Sequence, residues 1–370
     1  MWNPGPCRDQ LRLSPNWLNE KEWEGEKIGM EARAQQDGCQ PRAARCSATL
    51  LLLALAIVGL MACGRRPDPY GQQLSKALEA GLRGQELLGE GQTRRAERAF
   101  SRSLEIHQGL DNPAGTARQL NNLGAAALAR EDLRQAADLF RQALFLNQQL
   151  GYPADAALNL ANLAAVAQKK GDLGQAARDL QEARDLARRA ASPRVLGQVL
   201  CQMAGLALDQ NDPGAAAALL TEAASANREA VVRGPWHYQQ GRLQLSRGDL
   251  PQARDFFQQA LAADRTTLNR LGMGADLEGL AQVEEAQGDY SRAFLYADRA
   301  FRLYAATQSW TKAQQCLETL RRLNHIGRLG QNLEPLEKQT VAGRAAAKPC
   351  PPSGAAPAAA PSSPKPTAPE

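Results

Sequence analysis

The sequence predicts an all-α solenoid of about six helix–turn–helix units closed by a C-terminal capping helix. Three observations carry this. Four columns of residues recur in phase across six copies: Ala96, Ala136, Ala176, Ala216, Ala253 and Ala293 stand at intervals of 40, 40, 40, 37 and 40. Gly84, Gly124, Ala164, Ala204, Gly241 and Ala281 keep the same intervals, as do the bulkier column at Phe100, Phe140, Leu180, Leu220, Phe257 and Ala297 and the small one at Ser103, Ala143, Ala183, Ala223, Ala260 and Ala300. Each unit also holds two stretches with small and apolar residues at helical spacing, parted by a short polar turn. Finally, the composition changes at both ends of the repeating region, which confines the solenoid to residues 73–328.

The chain before the repeats reads as an export segment. Arg42 and Arg45 precede an almost wholly apolar run from Ala48 to Ala62, the layout of a secretory signal. That run is shorter than the ~20 apolar residues a membrane-spanning helix needs. It ends Leu60-Met61-Ala62-Cys63, which resembles the lipobox of bacterial lipoproteins. The resemblance implies a diacylglycerol on the Cys63 thiol, cleavage before Cys63 and acylation of the new amine, with two or more acyl chains holding the protein to a membrane. Residues 30–62 are then the signal peptide and 63–72 a lipidated tether. Residues 1–29 are expected not to be made, because Met30 is better placed to start a signal and Glu24–Lys27 is encoded by purine-rich codons where a ribosome-binding site would lie. Peptides from Met1–Lys27 in the native host would contradict this. Gly64, not Asp, follows the cysteine, which in lipoproteins favours the outer membrane facing the periplasm.

Within a unit, "LNNLGAAALAR" begins a first helix at Leu120 and "RQAADLFRQALFLN" forms a second. The turns between read "REDL", "KGDL", "QNDP", "RGDL" and "QGDY", and their aspartates, Asp132, Asp172, Asp212, Asp249 and Asp289, are placed to N-cap the second helix. Pro213 suits the first helical turn, where its missing N–H costs nothing. Pro113, Pro153 and Pro193 are expected to stop one helix pair before the next begins. Small residues on both helices let the backbones approach, and the bulky third column fills the space beside them. From residue 329 the chain is expected to be a disordered Ala/Pro-rich tail, its bias strongest from Val341, with polyproline II character. Some thirty extended residues reach on the order of 90 Å.

This pattern resembles the tetratricopeptide repeat (TPR), with Leu123-Gly124 standing for the L-G of the first helix and Ala136, Phe140 and Ala143 for the second. Leu120 and Ala127 replace the first-helix aromatic pair, and the longer unit is most similar to the kinesin-light-chain type. The resemblance implies a right-handed superhelix with a concave face lined by first helices. In that frame Arg118, Asn121, Asn122, Asn162, Gln198, Gln202, Gln239, Arg242, Glu278 and Gln282 fall on the concave face. Amides both donate and accept, which suits the backbone of an extended peptide. In the family, asparagines at the Asn122 and Asn162 positions commonly grip a bound peptide. The lysine–asparagine clamp for C-terminal carboxylates is not reproduced. Trp236 and Tyr238, in "PWHYQQG", make either a peptide pocket or the packing of a repeat junction, and the 37-residue interval there implies a change of curvature.

Other classes of function are disfavoured. Of 44 basic and 39 acidic residues, seven of each precede Cys63, leaving a net +5 spread over the remainder with no basic cluster along one face. Nucleic-acid binding leaves a stronger footprint. Cys201, Cys316 and Cys350 are far apart and odd in number, so buried small side chains are expected rather than a disulfide framework. The histidines, His107, His237 and His325, sit at no metal-ligand spacing, and no nucleophile elbow or phosphate-binding loop occurs. No enzyme activity, cofactor, metal or small-molecule substrate is expected. The reading is a lipid-anchored envelope scaffold for protein partners, with a self-associating structural assembly factor as the alternative.

Overall fold

The computed structural model describes residues 68–226 and 233–347, which form fourteen helices and, among the described residues, no strand. The signal segment, Cys63 and residues 348–370 lie outside them. The helices are α1 (Pro69–Gly89), α2 (Thr93–Gly109), α3 (Pro113–Ala129), α4 (Leu133–Gln149), α5 (Pro153–Lys169), α6 (Leu173–Arg189), α7 (Pro193–Asp209), α8 (Pro213–Ala226), α9 (Arg233–Ser246), α10 (Leu250–Thr266), α11 (Arg270–Ala286), α12 (Tyr290–Ala306), α13 (Trp310–Ile326) and α14 (Glu334–Ala347). Successive helices pack on each other, and α1–α12 make six antiparallel pairs.

The aspartates of the internal turns act as N-caps. Asp132 accepts from Gln135 N at 3.0 Å, Asp172 from Gln175 N at 2.9 Å, Asp212 from Ala215 N at 2.9 Å, Asp249 from Gln252 N at 3.1 Å and Asp289 from Arg292 N at 2.9 Å. Each satisfies an amide that has no partner inside the helix. Pro113, Pro153 and Pro193 are the first residues of α3, α5 and α7 rather than stops after the preceding pair. Position N1 wants a fixed φ and no N–H, and proline supplies both. After α1–α7 and α9–α12 the turns share one conformation: a single residue with positive φ, such as Gly91, Glu131, Gly171 or Gln308, follows the helix end.

The columns pack as matched pairs. A Cβ on Gly84 would lie 2.4 Å from Phe100, on Gly124 2.6 Å from Phe140, and on Gly241 2.8 Å from Phe257. Where the bulky residue is instead Leu180 or Leu220, the small one is Ala164 or Ala204, and all four are fully buried. An aromatic ring takes the room a methyl group would occupy, whereas leucine leaves it. In the sixth repeat both columns are alanine, Ala281 and Ala297, and fully buried Phe301, one turn further along α12, fills the same core cluster. Ala136 is fully buried at such a contact and Ala177 is exposed on α6. Ala136→Leu is therefore expected to cost about 1–3 kcal/mol in chemical denaturation and Ala177→Leu almost nothing. Equal losses would contradict the packing assignment.

Two boundaries differ from expectation. The first helix starts at Pro69, four residues before the expected start of the repeats at 73. At the other end α14 covers residues expected to belong to a disordered tail beginning at 329. Leu333 and Leu336 pack against the last core cluster, Thr340 is buried, and Gly343 lies where any side chain would meet Trp310. Alanine-rich sequence favours helix, and α14 is described as far as Ala347. The capping helix expected at 309–328 is α13. The 37-residue interval, from Ala216 to Ala253, runs from α8 through α9 to α10.

Candidate partner-binding groove

Each first helix, from α1 to α9, also touches the first helix of the next repeat, so α1, α3, α5, α7, α9 and α11 line the inner face. At its N-terminal half this face carries a ladder of asparagines. Asn121 Oδ1 accepts from Asn162 Nδ2 at 2.8 Å and from Asn159 Nδ2 at 2.9 Å, and Asn159 Oδ1 accepts from Asn147 Nδ2 at 2.7 Å. Asn147 and Asn159 are almost wholly buried at the junction of repeats two and three, while Asn121 and Asn162 are half-buried. Leaving a buried amide unpaired costs about 1–3 kcal/mol, so the chain of bonds fixes each side chain. Two of the three asparagines expected in the groove are thus joined directly. Asn122 donates instead to buried Gln119 at 3.1 Å.

Asn147 and Asn159 were not singled out in the sequence. They occupy a pair of positions twelve residues apart that recurs with the repeat: His107 and Gln119, Asp264 and Asp276, Tyr304 and Cys316. The position repeats while the chemistry changes, so a search for one residue type passes over it.

Further along, Gln198 and Gln202 are half-buried on α7. The carbonyl oxygen of Gln202 is buried without a hydrogen-bond partner. Gln239 lies against the bare Cα of Gly205 and accepts from Arg242, whose other nitrogen pairs with Asp209 at 2.7 Å. Tyr238 is tilted on Phe257 at 5.8 Å between ring centres. Burial raises its hydroxyl above the usual tyrosine range, and it also feels Arg242, Glu278 and Asp276. Glu278 accepts from Tyr304 Oη at 2.7 Å and from the Cys316 thiol at 3.2 Å, and Lys312 stands 5.0 Å over the Tyr304 ring. Cys201 and Cys316 are free and buried, and burial pushes the Cys201 thiol up to about 12. Arg118 and Gln282 are exposed on α3 and α11.

Three features add to or correct the sequence reading. Leu78 and Leu82 on α1, in the columns of Arg118 and Asn122, are 43% and 62% exposed, so the first repeat ends the groove in an apolar step. Trp236 donates from Nε1 to Leu220 O at 3.0 Å and packs edge-on to Phe256, which makes it part of the junction between repeats four and five. A basic stripe does follow one face: Arg94, Arg98 and Arg102 succeed each other at helical spacing along α2, beside an open groove of about 920 Å³. Glu97 and Glu105 line the same groove, and Glu97 pairs with Arg130 at 2.8 Å. Among the described residues there is no group of three or more His, Cys, Asp or Glu side chains placed to hold a metal ion, and no helix is long and apolar enough to cross a membrane.

No protein-family model matches the chain, and no curated protein matches it. Among solved structures, aspartyl phosphate phosphatase F from Bacillus subtilis is similar with a TM-score of 0.52, at 11% identity over 88% of this chain and 90% of that one. The apo form of RapI gives a TM-score of 0.51 at 12% identity, over 79% and 100%. A tetratricopeptide repeat protein from Parabacteroides merdae gives 0.37 at 15%, over 73% and 99%. The fold is a TPR-like α-solenoid. Identity at this level carries the fold alone, so what this solenoid binds has to be argued from its own inner face.

Proposed function

We propose that the protein is a scaffold of the bacterial envelope, anchored by lipid on Cys63 and probing its surroundings with a groove that holds extended segments of other proteins. The asparagine ladder carries this reading. It pre-orients Asn121 and Asn162 and leaves the Asn121 amide NH2 and the Asn162 carbonyl without protein partners, one donor and one acceptor for a peptide main chain. Pilus, secretion or envelope assembly are the settings in which such a scaffold would work.

Site-specific photo-crosslinking from position 122 in the native host tests the reading. A discrete membrane-fraction product is expected, lost when the probe moves to Arg141 on the outer second helix α4, where the native side chain pairs with Asp138. The same product from both positions, or none from 122 with the protein present at the membrane, would overturn it. Exposed Leu78 and Leu82 favour one second reading, self-association without a peptide ligand. A mass that rises with concentration and falls on Leu82→Gln would mark that case.

A further inference from the structure

Two hydrogen bonds join residues 180 positions apart. Arg270 Nη1 donates to Glu90 O at 3.3 Å, and Thr311 Oγ1 donates to the Glu131 carboxylate. One 40-residue step along the chain carries the first pair onto the second to within a residue. The turn inside repeat one thus meets the turn that follows repeat five, and the turn inside repeat two meets the one that follows repeat six. Gly91 and Thr307 form a third contact: a Cβ on Gly91 would lie 2.3 Å from Thr307 Cγ2 and 2.6 Å from its Cα. Thr93, Thr307 and Ser309 are buried beside it. The two hydrogen bonds bring the coil back on itself after about four and a half repeats and the Gly91–Thr307 contact after about five and a half, and the edges of successive turns form a seam.

The seam differs in kind from the junctions between neighbouring repeats. Those bury columns of alanine, leucine and phenylalanine. The seam is held by hydroxyl, guanidinium and carboxylate contacts and one close backbone approach, and an open pocket of about 250 Å³ lined by Thr93, Glu131, Asp132 and Gln308 lies along it. Lacking those apolar columns, it is expected to open before the junctions between neighbouring repeats do.

We propose that this seam is a clasp. Closed, it restricts the inner face to what enters from the ends of the coil; open, it admits from the side a segment with no free end. The inference rests on the groove reading only for what enters, since the clasp itself is a contact within this chain.

Two glycines supply the test. Gly91 and Gly171 occupy equivalent turns at φ +76° and +82°, so alanine strains both backbones alike. Gly171 has nothing within 4 Å of its added Cβ, whereas Gly91 has Thr307. Hydrogen exchange would be followed by mass spectrometry on the detergent-extracted full chain. Gly91→Ala is expected to speed exchange at least tenfold in residues 265–271 and 304–312, and Gly171→Ala to leave those segments within twofold of wild type. In an Asn122→Cys background, Gly91→Ala should also speed labelling of that cysteine by a bulky maleimide several-fold. Thr311→Ala, which adds no strain, should act in the same direction. Unchanged exchange in both Gly91→Ala and Thr311→Ala, equal acceleration by Gly171→Ala, or faster exchange without faster labelling would each overturn the proposal. None of these readouts needs a bound partner, so an empty groove and a missing clasp are distinguishable.

Discussion

Replacing Asp276 by asparagine is expected to stabilise the protein, and to do so more at pH 8 than at pH 5. Asp276 is 1% exposed on α11, with one carboxylate oxygen buried and unpartnered. Burial first, and then the nearby Asp264 carboxylate, push its pKa up to about 8. Asp264 is raised too, chiefly by burial, although Asn269 donates to it at 3.1 Å. The folded protein therefore keeps a proton on Asp276 that the unfolded chain releases above pH 3.8. Stability is fully present below that value and falls as pH rises through the window to about 8, by at most about 1.4 kcal/mol per pH unit. Asparagine has nearly the same shape and nothing to ionise. The difference between Asp276→Asn and wild type in denaturant titrations at pH 4, 6 and 8 should grow across the series, reaching several kcal/mol at the last. A difference independent of pH would show that Asp276 is not the titrating group.

The second large effect is a coupling. Gly124→Ala drives a methyl group to 2.6 Å from the Phe140 ring. The clash should cost about 1–3 kcal/mol, partly offset by the ~1 kcal/mol that alanine gains over glycine inside a helix. Phe140→Leu alone leaves space behind and should cost about 1 kcal/mol. Together they recreate the Ala164/Leu180 pair, so the double variant should be more stable than the sum of the single losses predicts by about 1–2 kcal/mol. Strict additivity in the double-mutant cycle would mean that the columns are independent and the glycine serves some other end.

Those two predictions mark where the sequence was legible and where it was not. The columns, the capping aspartates and the α13 cap could be read because each is local or repeats one residue type. The partnership of glycine with phenylalanine and alanine with leucine is equally local and stands in neighbouring columns of the same repeats. The Asn147–Asn159 bond and the Asp264–Asp276 pair share a position and not a chemistry, so no composition search marks them. Asn121, Asn122 and Asn162 read as a peptide-facing set, yet Asn121 and Asn162 bond to each other first and face a partner only with what is left over. Helix α14 was hidden by its alanines, which count toward a low-complexity tail and equally toward a helix. The seam lay furthest from view. It depends on the angle at every junction summed over four and a half repeats, and a small error at each would carry the edges past one another.

That summation has an evolutionary consequence. In an open array of repeats, a unit can be duplicated or lost with little effect on the rest, because each contacts only its neighbours. Here Glu90 and Glu131 meet partners 180 residues away. Removing one 40-residue unit between them would bring a different turn to each site and undo both contacts together. Repeat number in this protein is therefore tied to the meeting of its edges, and a variant that gained or lost a unit would have to rebuild that meeting as well.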